Sequence, residues 1–126
     1  MGCSESPYDL AAVKGKVLID GQPFTAGKLQ FAPVERGGAN AGKPAFGLLD
    51  SEGNFELGTY GERDGAIVGQ HWVTLMSLPD RRTAADGGIP NFRRLPAQKT
   101  PVEVLAGEQN EFVIELTLDQ IREYAE

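Results

Sequence analysis

Apolar and polar residues alternate through most of this chain in short runs. A period of two places successive side chains on opposite faces and marks strands rather than helices. The stretch 48–57 shows the pattern most fully. Leu48 and Leu49 lead into Asp50-Ser51-Glu52-Gly53-Asn54. Phe55 and Leu57 then lead out on one face, with Asn54 and Glu56 on the other. Asp50 and Ser51 can bond their own backbone, and Gly53 or Asn54 can take a positive φ. The polar cluster therefore predicts a tight turn closing a β-hairpin.

The same reading extends both ways. Over 12–19, Val13, Val17 and Ile19 share a face, with Gly15 between them and Lys14 and Lys16 opposite. Asp20-Gly21-Gln22-Pro23 is a turn pattern between apolar runs. A strand at about 27–34 points Leu29 and Phe31 inward, and Pro33 near its end marks an edge or an exit. The Gly- and Ala-rich segment Arg36 to Gly42 reads as a flexible loop. Further strands fall at 45–49, 54–60 and 69–78. In the last of these, His71, Val73 and Leu75 face one way and Trp72, Thr74 and Met76 the other. Residues 101–105 bury Val102 and Val104. Residues 111–118 set Phe112, Ile114, Leu116 and Leu118 against Glu111, Val113, Glu115 and Thr117.

From Asp119 the period lengthens. Leu118, Ile121 and Tyr124 or Ala125 fit a helical stripe that Asp119 could cap. Seven short strands separated by turns predict an all-β fold: an antiparallel β-sandwich with a short C-terminal helix. The expected core is Val13, Val17, Ile19, Leu29, Phe31, Phe55, Leu57, Val73, Leu75, Val104, Phe112, Ile114 and Leu116. Residues 1–11 read as a polar tether, 12–118 as the sandwich and 119–126 as a tail. Residues 79–100 are the least regular, and a connection of that length is either functional or mobile.

Composition changes this picture little. A chain of 126 residues is long enough for one domain with its own core. A net charge of −6 with no basic face argues against a nucleic-acid partner. A single cysteine rules out an internal disulfide and a Cys-based zinc site. No segment is long and apolar enough to be a membrane-spanning helix, and residues 1–12 lack the apolar core of a signal peptide.

Candidate chemistry is sparse. His71 is the only histidine, and its alternation with Val73 and Leu75 makes it a packed core residue rather than a general base. With no second histidine, no transition-metal site is expected. Asp50, Glu52, Asn54 and Glu56 resemble half a calcium loop, but side chains alternating across a hairpin splay apart, and turn chemistry explains them. No serine sits in a nucleophile-elbow context, so no catalytic triad and no cofactor are expected. Trp72 and Met76 either form an exposed patch for a partner or a sugar ring, or lie under the 79–100 segment. The pairs Arg81-Arg82 and Arg93-Arg94 either grip carboxylates or phosphates or belong to a solvated loop.

Several of these pieces recur in a known order. Val13-Lys14-Gly15-Lys16-Val17, Asp20-Gly21-Gln22-Pro23-Phe24 and Gly27-Lys28-Leu29-Gln30-Phe31 come first. Asp50, Gly53, Phe55 and Leu57 follow, then Asp64-Gly65-Ala66, Gly69, His71, Val73 and Leu75. Ile89-Pro90-Asn91-Phe92, Thr100-Pro101-Val102-Glu103-Val104, Gly107, Asn110-Glu111-Phe112 and Leu116 close the series. Over roughly 12–118 the order resembles carboxypeptidase-regulatory-like, transthyretin-like sandwiches, as in small lipoproteins of bacterial envelopes.

That resemblance implies a non-enzymatic, structural or adhesive protein of the cell envelope, facing the periplasm or the cell surface. The alternative is a glycan- or peptide-binding module acting through Trp72 or the 79–100 segment. The resemblance also implies that Cys3, after Gly2, is the acylated residue that anchors the chain to a membrane. A rival lies in the letters themselves, since Gly2 and Ser6 fit N-myristoylation with Cys3 as a second acylation site. If the chain truly starts at Met1, a cytoplasmic location follows instead. The chain departs from the resemblance in its helical tail. It departs from the hydroxyisourate hydrolases, enzymes of the transthyretin fold, in having one histidine and ending Glu123-Tyr124-Ala125-Glu126. An envelope protein or a glycan is the expected partner, and edge strands leave a dimer open.

Overall fold

The computed structural model describes residues 9–34, 42–61 and 63–125. Among them the chain forms eleven strands: β1 (Leu10–Ala11), β2 (Val13–Ile19), β3 (Gln22–Pro23), β4 (Gly27–Pro33), β5 (Ala45–Leu48), β6 (Asn54–Glu56), β7 (Ala66–Ile67), β8 (Gly69–Ser77), β9 (Arg94–Pro96), β10 (Val102–Val104) and β11 (Asn110–Leu116). Two 3-10 turns, Pro79–Arg81 and Ala84–Asp86, follow β8, and one helix, α1 (Leu118–Arg122), follows β11.

The strands form three sheets. One has five strands in the order β10-β8-β4-β5, with β9 also on β8. Another has four in the order β11-β2-β3, with β6 also on β2. The third is the pair β1-β7. The all-β expectation holds, with more strands and more sheets than the alternation predicts. The four additional strands are two or three residues long. A period of two cannot be read over so few positions. One pairing also departs from the antiparallel expectation: β11 runs parallel to β2 from Asn110↔Val13 to Leu116↔Ile19.

The inner faces of the two larger sheets share one core. The Phe31 ring of β4 lies 6.4 Å from Phe55 on β6 and 5.5 Å from Phe112 on β11. The expected core residues are buried except Phe112, half-buried on the edge strand β11, and Val102, expected to be buried with Val104, is likewise half-buried on the edge strand β10. Phe24, Leu49, Phe92, Leu95, Ile121 and several alanines also belong to the core, beyond the residues that alternation places there.

The turn at 50–54 forms as the polar cluster predicts. The Asp50 carboxylate accepts from the backbone N–H groups of Glu52 (2.8 Å) and Asn54 (2.9 Å), and Gly53 takes φ 79°. Its hairpin, however, is paired only at its two ends, Asp50 with Asn54 and Phe46 with Gly58. Between them β5 joins β4 while β6 joins β2, so the turn carries the chain from one large sheet to the other. At the C-terminus, Thr117 caps α1 in place of Asp119. Its hydroxyl accepts from Gln120 N–H, and the Gln120 side chain returns to the Thr117 N–H. Asp119 instead pairs with Arg122 at 2.7 Å.

Candidate functional site

The outer face of the five-stranded sheet is where the exposed aromatic residues gather. Alternation along β8 buries His71, Val73 and Leu75 and turns Trp72, Thr74 and Met76 outward. The strand registers align these with outward residues of β4, β5 and β9. One row across the sheet is Leu48, Lys28, Met76 and Arg94, and the next is Phe46, Gln30, Thr74 and Pro96. Trp72 stands beside Ala32, one step further along. Trp72 is 49% exposed, Phe46 40% and Tyr124, just after α1, 45%. Gln30, Thr74, Arg94, Leu95, Pro96 and Tyr124 line a shallow depression of about 360 Å³.

Two strand spacings and two residue rises put the Phe46 and Trp72 backbones roughly 12 Å apart on this face. The Lys28 Nζ lies 4.9 Å from the Phe46 ring centroid, a cation–π contact. The outer face of the four-stranded sheet is of different character. There Lys14, Lys16, Glu56, Glu111 and Glu115 surround Val113, and Lys14 pairs with Glu111 at 3.4 Å. A wider trough of about 890 Å³ runs along the seam of the two sheets, with Phe46, Leu48 and Lys28 on one side and Lys14, Lys16 and Glu111 on the other.

The 79–100 segment does not cover Trp72. It returns as β9, hydrogen-bonded in the plane of the sheet along Thr74–Met76, so it widens the outer face instead of burying it. Before that return it is pinned to the β3–β4 connection. Asp86 is fully buried and accepts from the Thr25 hydroxyl at 2.6 Å, the Thr25 N–H at 3.3 Å and the Thr83 hydroxyl at 3.1 Å. Burial disfavours the charged carboxylate, but the donors of Thr25 and Thr83 outweigh it and hold Asp86 below the usual carboxylate range. The segment is ordered and built into the fold.

The structure separates the four arginines. Arg94 lies on the outer sheet face beside Met76. Arg82 is half-buried, donating to the Ile89 carbonyl with its guanidinium 6.0 Å from the Phe24 centroid, so it braces the segment. Arg81 is exposed on the first 3-10 turn, and Arg93 is exposed where its carbonyl accepts from Ser77 N–H. Cys3, Gly2 and Ser6 lie outside the described residues, as does most of the Arg36 to Gly42 loop.

His71 is wholly buried. Its Nε2 meets the Ile67 carbonyl at 2.6 Å and its ring stacks 5.8 Å from Phe31, while Nδ1 makes no well-formed hydrogen bond. Burial pushes its pKa below the ordinary 6.5, outweighing backbone hydrogen bonding at Ile67 and Phe31. Asp64 binds the N–H groups of Thr59, Tyr60 and Gly61, and so shapes a turn as Asp50 does. Among the described residues no cluster of His, Cys, Asp and Glu is arranged to hold a metal ion.

Phe46, Leu48, Lys28, Gln30 and Tyr124 belong to the same face as Trp72 but were not singled out from sequence. Alternation already sets Lys28, Gln30, Phe46 and Leu48 opposite the core. What it cannot give is that β5, β4 and β8 are neighbours. No family model, no curated protein and no solved structure matches the chain.

Proposed function

We propose that this protein is a non-enzymatic adhesive module of the cell envelope that binds glycan on the outer face of its five-stranded sheet. The observation that carries the reading is the exposed Trp72, on the same sheet face as Phe46 and two residues along β8 from Thr74, which lines a depression with Gln30, Arg94 and Tyr124. Exposed aromatic rings offer apolar faces to the C–H faces of sugar rings, and neighbouring amide, hydroxyl and guanidinium groups bond their hydroxyls. Exposed apolar side chains rimmed by polar residues mark an interaction site. The depression is open to solvent, which suits a chain laid across it more than a small molecule enclosed by it.

The two facing sheets support a sandwich of the transthyretin-like kind, although eleven strands and a parallel pair exceed the simple form. Gly2-Cys3 supports a lipid anchor, in which buried methylenes supply the membrane affinity. Intact-mass measurement of the native protein checks this part, since an unmodified chain beginning at Met1 in the soluble fraction removes the anchor. Burial of the only histidine away from solvent supports a binding role over hydrolysis.

A glycan array probed with the purified protein tests the binding reading, followed by titration of any hit against Trp72→Ala. The expected result is affinity reduced by about fivefold to a hundredfold, because stacking on an aromatic ring is worth about 1–3 kcal/mol. The thermal midpoint should stay within a few degrees of the parent, since Trp72 is outside the core. Binding that survives Trp72→Ala removes this face as the site.

A further inference from the structure

Resting on the reading of this face as a glycan site, we infer that its ligand is an acidic glycan, a sugar chain carrying carboxylate groups. Lys28 and Arg94 are the residues that select it. They stand on either side of Met76 in adjacent strands, Lys28 on β4 and Arg94 on β9. Two strand spacings separate their backbones by roughly 10 Å. Neither makes an ion pair among the described residues. Within the five strands Glu103, paired with Gln70 toward the other end of β8, is the one acidic residue, while Lys28 also borders the seam trough that Asp50, Glu56 and Glu111 line.

This arrangement runs against the balance of the whole molecule. The chain carries a net charge of −6, and on the opposite sheet Lys14 of β2 is matched to Glu111 while Lys16 stands between Val113 and Asn54. Here two cations, Lys28 and Arg94, share a row with only Met76 between them. Such a row lowers the local potential for anions and raises their encounter rate. Arg94 also lines the depression with Gln30, Thr74 and Tyr124. Its planar guanidinium suits a bidentate bond to a sugar carboxylate, with Gln30 and Thr74 left to bond ring hydroxyls. Lys28, held over the Phe46 ring, supplies a second positive charge at the far side of the row.

The test titrates the protein with polygalacturonate, alginate and hyaluronan oligomers, with methyl-esterified oligogalacturonate, and with neutral cello- and chito-oligosaccharides. Methyl esterification keeps the sugar rings and removes the charge. The expected result is binding to at least one acidic chain and not to the esterified one. Arg94→Gln should weaken it about tenfold and Lys28→Gln by less, the loss of a charge-assisted bond against the loss of a single point charge. Affinity should fall as salt shortens the Debye length from about 10 Å to about 3 Å. Equal binding to neutral or esterified chains, lost in Trp72→Ala, overturns the acidic ligand and leaves the glycan site standing. Binding to none of them, or acidic binding unchanged in both Trp72→Ala and Arg94→Gln, overturns the site as well. Adsorption to vesicles of anionic lipid in place of any glycan assigns the row to a membrane surface and overturns the proposal.

Discussion

Burial holds the His71 imidazole neutral, so the folded chain refuses a proton that the unfolded chain accepts near pH 6.5. The folded pKa lies below the unfolded one. Stability is therefore fully present above pH 6.5 and declines as pH falls from there toward the folded value. One such group sets a slope of at most about 1.4 kcal/mol per pH unit. Urea unfolding measured from pH 8 down to pH 5 should show a plateau followed by this decline. His71→Gln keeps a donor for the Ile67 carbonyl and should flatten the curve over that window. An unchanged slope in the variant means the proton is taken up elsewhere. Asp86 acts in the same sense at lower pH, because its carboxyl is held below the usual range and its pinning bonds weaken only as acid protonates it.

At the scale of the element, β2 holds the four-stranded sheet together, since β11 lies along one side and β6 and β3 along the other. Gly15 sits at its narrowest point. A Cβ there would stand 1.9 Å from the Phe112 carbonyl oxygen and 2.9 Å from the Phe55 ring. Gly15→Ala must push β2 away from β11, and a loss of about 3 kcal/mol is expected in denaturant unfolding, the upper end for overpacking. A loss below about 1 kcal/mol means the two strands part without strain. The elements most legible in the sequence are those with the most alternating positions, such as β8 and β11. Their facing follows from side-chain parity alone, including the outward turn of Trp72. Partnership between strands does not. Nothing in Val13 to Ile19 shows that β11 lies parallel beside it, and Arg94–Pro96 is too short to show that the irregular segment rejoins the sheet. The Asp50 turn was legible as chemistry, but the divergence of its arms depends on which neighbours β5 and β6 find.

For the molecule as a whole, the two outer surfaces differ in character, one bearing the paired Lys14 and Glu111, the other the exposed Trp72 and Phe46 with Lys28 and Arg94. The helix α1 ties the second of these to the core. Ile121 is fully buried, and the chain beyond it pairs Ala125 with Phe92 and sets Tyr124 at the rim of the depression. Ile121→Ala should lower stability by about 3 kcal/mol, within the range for large-to-small core substitutions, and should also weaken ligand binding by loosening Tyr124. Denaturant unfolding and glycan titration on the same variant check both effects. Loss of stability with binding intact shows that Tyr124 is held by the Phe92 bridge and not by the helix.

The parallel pairing of β2 with β11 joins the first long strand of the described chain to its final one. Loop-closure entropy must be spent across nearly everything between them before that pairing returns any free energy, and folds built on such distant contacts form slowly. During synthesis β2 is made before β11 and has only the short β3 and β6 as sheet neighbours until β11 follows. The four-stranded sheet is thus completed only when its last strand is in place, whereas the five-stranded sheet can assemble without it.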